Sequence, residues 1–409
     1  MSVNFRSFFR SLGPGLLFAG AAIGVSHLVQ STRAGADFGF GLIWALLIVN
    51  LFKYPFMQYG LRYGMATGES LIEGYRKLGK GFLWVYFVIT FLTMFTIQAA
   101  VTIVTAGLAS NLFGSGFSLS QWSIIITLFS LFLLLFGKYK MLDRVMKIVV
   151  IVLTLSTIIA VGIAYYSYEA PISLRQVIPK GSLEISFLIT FLGWMPAPLD
   201  VSVWQSLWTV EKRKSNADFV GKRAFFDFNI GYISTVFLGI CFLSLGALVM
   251  YGSEEVFSSS AGQFADQLIQ LYTDNLGRGS AVFISLAAFT TMFSTTLTTL
   301  DASPRSLAKT TEILFRSNEK KGYLFWILFL VGGTMIILSY FLTNMVILVQ
   351  IATVLSFLTA PFYAIVNYVL IKSEHTPIDY RPKLFLRIWS ILGIFFLIGF
   401  GLWYLESLL

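Results

Sequence analysis

A chain of 409 residues that is 56% hydrophobic and only 12% charged, where an ordinary soluble domain carries about 25% charged residues, does not have water as its main solvent. Its net charge of +9 comes from Lys and Arg in short connectors between apolar runs, and no basic stripe interleaved with aromatics marks a nucleic-acid surface. The single cysteine, Cys241, sits in an apolar run, which excludes a disulfide framework and a cysteine metal cluster.

A bilayer-spanning helix needs about 20 mainly apolar residues. Apolar runs punctuated by Gly, Pro and charge predict eleven spans, near residues 12–36, 41–64, 82–109, 121–137, 145–167, 187–209, 225–251, 279–303, 322–343, 344–372 and 384–405. The start, with Arg6 and Arg10 ahead of Leu12–Phe18 and Ala19-Gly20-Ala21, has the outline of a signal peptide, but Pro14-Gly15 interrupts its short apolar region. It therefore reads as a first span. The long connector at 252–278 places Phe264, Leu268 and Leu271 on one helical face. That pattern suits an ordinary amphipathic cap first, and a helix lying in the outer interface second.

Basic residues are retained on the cytoplasmic side. The amino terminus and the even connectors are rich in them: Arg62, Arg76, Lys77 and Lys80 in the second, Lys138, Lys140, Arg144 and Lys147 in the fourth, Lys212, Arg213 and Lys214 in the sixth, Arg305 and Lys309 in the eighth, Arg381 and Lys383 in the tenth. Odd connectors hold only Arg33, Arg175, Lys180 and Arg278. The alternation predicts a multi-pass protein of the cell (inner or plasma) membrane, amino terminus cytoplasmic and carboxy terminus external. Its partners are the lipid bilayer and a small transported ion or solute; oligomeric state is not legible.

Two spans are interrupted. The first runs from Gly13-Pro14-Gly15 through Gly24-Val25-Ser26-His27, rich in glycine and polar atoms at mid-depth, and the sixth carries Met195-Pro196-Ala197-Pro198, where two prolines remove backbone donors. Each break lies in the first helix of a five-span block, spans 1–5 (about 12–167) and 6–10 (about 187–372), followed by an extra helix at about 384–405. Five is odd, so the blocks are oppositely oriented, as in an inverted repeat. Freed carbonyls and half-helix ends at the midplane hold an ion or polar solute where they line a cavity; a pair of packing kinks is the plainer alternative.

At these residues the chain resembles the Nramp family of divalent-metal transporters. Gly13-Pro14-Gly15, Ala34-Gly35-Ala36-Asp37-Phe38-Gly39, the stretch from Arg62 to Glu73, Met195-Pro196 and Leu348-Val349-Gln350 are similar to family motifs, in order along nearly the whole chain. The resemblance implies an all-α polytopic membrane protein of LeuT-type 5+5 inverted-repeat fold, with discontinuous helices 1 and 6 plus an eleventh helix. Departures fall on the family's chemistry: its Asp-Pro-Gly-Asn is here Gly24-Val25-Ser26-His27, its Met-Pro-His-Asn is Met195-Pro196-Ala197-Pro198, and a third-helix acidic pair is replaced by Gln98 and Val101.

The candidate binding set is His27, Met195, Gln350 and the carbonyls of Gly24 and Leu192, a neutral group suited to a borderline transition metal and unsuited to Mg2+ or Ca2+. His27 bonded to a neighbouring helix and Met195 filling space is the structural alternative. Asp200 and Asp301 are candidate coupling residues, because an intramembrane carboxylate is costly without a cavity or partner, although Asp301 can instead pair with Arg305 four residues on. Trp194 and Trp204 flank the sixth-span break as candidate gates, and Gln98 stands where the family has a titratable group. Lys53 and the Arg33–Asp37 pair read as snorkelling or pairing groups. The expected function is transport of a divalent metal (manganese, iron or a neighbour) by alternating access, with weak proton coupling and no cofactor, the metal entering as substrate. A transporter of a small organic solute such as an amino acid is the runner-up, a non-transporting membrane sensor a third class, and no arrangement of an enzyme stands out.

Overall fold

In hydrocarbon every backbone polar group must find its partner inside the chain, and the described residues do so chiefly with helices. The computed structural model describes residues 14–114, 116–136, 139–169, 171–215, 221–253, 256–341 and 344–409; the expectations that rest on Arg6, Arg10, Gly13 and Lys138 lie outside them. The described residues form fifteen α-helices: α1 (Pro14–Ala22), α2 (Thr32–Phe38), α3 (Ile43–Thr67), α4 (Leu71–Leu78), α5 (Lys80–Phe113), α6 (Leu119–Leu135), α7 (Tyr139–Tyr166), α8 (Ser182–Trp194), α9 (Val201–Ser215), α10 (Gly221–Val249), α11 (Ala261–Leu276), α12 (Ala281–Phe315), α13 (Glu319–Ile336), α14 (Met345–Lys372) and α15 (Leu384–Ser407). A π-helix at Ser26–Ser31 precedes α2.

Every expected span coincides with a helix or a broken pair of helices. Span 1 is α1 plus the π-helix and α2, and span 6 is α8 plus α9. α5, α10, α12, α14, α15 and the run Glu319–Tyr340, which is α13 with the π-helical turn that follows it, are each long and apolar enough to cross a bilayer unbroken. The division at Asn344 is explained by its side chain, which accepts from the Ile347 amide at 3.2 Å and caps α14. The architecture is the LeuT-type inverted repeat.

Two elements differ from the sequence reading. The eighth span continues to Phe315, through Pro304, so Asp301 lies well inside α12 rather than at its end. The stretch after Gly68 is a separate helix, α4, started by a capping box between Ser70 and Glu73. In α11, Phe264, Leu268 and Leu271 are buried and the helix packs against α5, α7 and α12, as the amphipathic-cap reading has it.

The broken helices are seated by close backbone approaches. A Cβ on Gly35 would overlap the Leu243 carbonyl, and one on Gly246 the Thr32 carbonyl, so α2 and α10 meet almost backbone to backbone. The amide of Gly15, at the start of α1, donates to Asp227 Oδ2 of α10 at 2.8 Å, a carboxylate at the positive end of a half-helix.

Candidate functional site

The two breaks face each other. After Ala22 the first span leaves helical geometry and resumes in the π-helix, a form found mainly as single turns at functional positions. Ser26 links the two breaks: its Oγ lies 2.8 Å from the Ala22 carbonyl, 2.7 Å from His27 Nδ1 and 3.3 Å from the Pro196 carbonyl of the opposite break. Between the breaks is a cavity of about 30 Å3, lined among others by Gly24, Ser26, Trp194, Trp204, Thr295 and Thr299, which is a water-sized space. Both candidate gating tryptophans therefore do line the junction. Trp194 is held by an indole bond to Ser356 Oγ at 2.9 Å.

The sixth-span break is stabilised by a lysine. In an uninterrupted helix the Leu192 carbonyl would accept from residue 196, which is proline and has no N–H. The Gly193 carbonyl would accept from residue 197, which lies beyond the end of α8. Lys53 of α3, fully buried, supplies the missing donors: its Nζ donates to the carbonyls of Leu192 at 2.8 Å, Gly193 at 2.7 Å and Ala197 at 3.2 Å. All three ammonium protons are thus used, and the charge sits at the negative end of the α8 dipole. Lys53 neither snorkels nor pairs at a surface, contrary to the sequence reading.

The expected metal ligands do not gather around one point. Thr235's carbonyl can only accept, so the His27 Nε2 that lies 2.9 Å from it carries a ring proton, and Nδ1 is engaged by Ser26 Oγ at 2.7 Å. Neither ring nitrogen is left for an ion. The Met195 side chain packs beside Gly239, one turn from Thr235 on α10, so His27 and Met195 share a helix neighbour and not a cavity. Leu192's carbonyl is under the Lys53 ammonium, and Gly24's carbonyl accepts from the amides of His27 at 3.1 Å and Leu28 at 2.9 Å. Gln350 lies further out, where its Nε2 donates to Ser186 Oγ at 2.7 Å. Among the described residues no three His, Cys, Asp or Glu side chains come together as a metal-holding group.

The two candidate carboxylates separate clearly. Asp301 is clamped: Arg305 bonds both its oxygens, at 2.7 and 3.2 Å, and the Tyr323 hydroxyl donates to it at 2.7 Å. Asp200, between the break and α9, is buried, its Oδ1 lacks a hydrogen-bond partner, and Lys53 and the hydroxyls of Tyr75, Tyr86 and Tyr363 lie within its electrostatic reach. Tyr75 in turn donates to Asn367 at 2.5 Å, and Asn367 donates to Ser202 at 2.9 Å, which ties α4, α9 and α14 together below the break. Gln98 of α5 is bonded across to α12. It receives the Thr299 hydroxyl at 2.7 Å and donates to Thr102 and to the Thr296 carbonyl, locking α5 to α12.

Lys53 is the residue at the break whose surroundings the sequence reading missed. The signal was present: a lysine at mid-depth in span 2, facing a span whose prolines leave carbonyls without donors.

The family profile described as Nramp, natural resistance-associated macrophage protein-like, matches residues 15–407. A Pasteurella multocida protein described as uncharacterized protein PM0681 is 33% identical over 99% of this chain and 94% of its own length. The divalent metal cation transporter MntH of Listeria welshimeri is 26% identical over 46% of this chain and 40% of its own. Among solved structures, a mutant of an Eremococcus coleocola manganese transporter superposes with a TM-score of 0.73 at 15% identity, covering 98% of this chain and 87% of that one. MhsT in complex with L-phenylalanine superposes with a TM-score of 0.64 at 13% identity, covering 97% and 98%; at such identities the likeness is one of fold.

Proposed function

Because the chain belongs to the Nramp family, we propose that it is a secondary transporter that carries a small substrate by alternating access, with the substrate seated between the two breaks. Burial of irregular backbone at mid-depth is tolerated only where it lines a cavity or is covered by protein, and here both kinds of support converge on Ser26 and Pro196. The small central cavity corresponds to a state in which the site is closed.

For the substrate, the geometry favours a small organic solute, and the observation that carries this is Lys53. Its ammonium already sits on the carbonyls that the sixth-span break would offer to a cation. A divalent ion there would find those carbonyls already taken by Lys53 Nζ, and the residues lining the cavity supply hydroxyl, carbonyl and indole groups with no carboxylate among them. These groups suit hydrogen bonding to an organic molecule. The divalent-metal reading draws its support from relatives, among them the transporters named above for metal cations, and from Asp200 as the one carboxylate near the break.

Uptake into proteoliposomes of the purified full chain separates the readings. Labelled Mn2+ and a panel of amino acids and small organic acids are offered side by side. The organic-solute reading expects accumulation of at least one organic compound and Mn2+ entry no faster than in protein-free liposomes. Mn2+ uptake alone would establish the metal reading, and no uptake of either would leave the sensor class.

A further inference from the structure

One turn outward from the central cavity, from Ser26 to Gln30 along the π-helix and from Trp194 to Thr190 along α8, lies a second cavity of about 270 Å3 between the π-helix, α2, α8 and α14. Its polar lining comes from Gln30, Arg33, Ser186, Thr190 and Gln350, and Phe187 contributes an apolar wall. Two of these polar groups are unsatisfied: Arg33 Nε and Thr190 Oγ1 are buried and have no hydrogen-bond partner.

The charges around this cavity are one-sided. Asp37, one turn beyond Arg33, acts on it electrostatically but is exposed to solvent and does not line the cavity. Glu184, near the start of α8, is exposed and accepts from the Lys180 amide at 3.2 Å. No carboxylate is among the lining residues. A buried guanidinium nitrogen without an acceptor is costly, and its planar fork matches a carboxylate in two parallel bonds. The Arg33 guanidinium at the cavity wall attracts an anionic group and raises the energy of a divalent cation there.

We infer that this cavity recognises the carboxylate of a small organic acid or amino acid, with Arg33 as the anion anchor, Thr190 as a second donor and Phe187 against the substrate's apolar part. The inference rests on the organic-solute reading above and names the substrate class within it.

The test is binding to the purified full chain in nanodiscs, by calorimetry and thermal shift, with acetate, benzoate, L-alanine and L-phenylalanine as probes and the amide of each as its twin lacking the carboxylate. At least one acid is expected to bind saturably, about tenfold or more tighter than its amide. Arg33→Gln is expected to bring the acid down to the level of the amide, since removing one partner of a buried charge pair costs tenfold or more, and Arg33→Lys to restore part of the difference. Should Arg33→Gln fail to fold by circular dichroism, Thr190→Val, which replaces the hydroxyl by a methyl, is expected to weaken the acid and leave the amide unchanged. Equal binding of acids and amides, parent-like binding in folded Arg33→Gln, or no binding of any acid overturns the assignment. Uptake of an organic solute without dependence on Arg33 would remove this assignment while leaving the transport reading intact, whereas Mn2+ uptake alone would remove both.

Discussion

The Nζ of Lys53 lies 2.7 Å from the carbonyl oxygen of Gly193, so a side chain from the second span completes the backbone of the sixth at the turn where the prolines deny it donors. Lys53→Met keeps the length and apolar stem of the side chain and deletes its three donors. Buried carbonyls of α8 would lose their partner, at about 1–3 kcal/mol for an unsatisfied group. A loss on the order of 3 kcal/mol is expected, read as a lower thermal midpoint of purified protein. A midpoint equal to the parent's would mean that the break holds its shape without the ammonium.

His27→Ala should act on stability and not on ion selectivity. It removes two buried hydrogen bonds, to Thr235 and Ser26, with a cost of about 2 kcal/mol. The thermal midpoint should fall, while Mn2+ and Cd2+ binding by calorimetry should match the parent. A selective loss of metal binding in a protein of unchanged stability would restore His27 as a ligand.

Much of the fold was legible because the bilayer reads the sequence as hydropathy and charge. Each span has its apolar run, and the two proline- and glycine-rich interruptions stand where the helices break. The ligand set was not legible. Which way His27 and Met195 turn depends on α10, more than two hundred residues from His27, through the Thr235 carbonyl and the space beside Gly239. Lys53 was misread because a lysine in a span is usually judged by its own helix, whereas its partners are carbonyls that become available only through prolines in another. α4 escaped notice because its single turn of capping, Ser70 with Glu73, is short and polar, and hydropathy does not register it.

The two aspartates should respond differently. Asp301→Asn breaks a clamp whose Arg305 is about half exposed, 48%, so solvent screening leaves an effect of about 1 kcal/mol on stability and little on transport rate. Asp200→Asn removes the one carboxylate near the break and should slow transport severalfold at nearly unchanged midpoint. Parallel uptake and melting measurements on both variants check this; equal transport rates in the two would exclude Asp200 from the pathway.

Gly193 tolerates no side chain. A Cβ there would overlap the Thr353 carbonyl of α14, so Gly193→Ala must push α8 from α14, at about 1–3 kcal/mol or more. Gly399→Ala, with open space around the added carbon, is the control and should be neutral. Fluorescence-detected gel filtration after heating compares them directly.

The basic-residue alternation predicts an amino terminus in the cytoplasm and a carboxy terminus outside. Reporter fusions at each end should give opposite accessibility in intact cells. Both ends on one side would contradict the orientation.

The most direct test is whether a divalent ion binds while Lys53 is in place. Calorimetric titration of the purified parent protein with Mn2+ and Cd2+, alongside Lys53→Met, addresses the charge at the break itself. The account predicts no saturable heat for the parent, because the ammonium holds the carbonyls of Leu192, Gly193 and Ala197. Saturable Mn2+ binding to the parent at micromolar concentration, lost on mutating Met195 or Asp200, would contradict it and place the metal at the break.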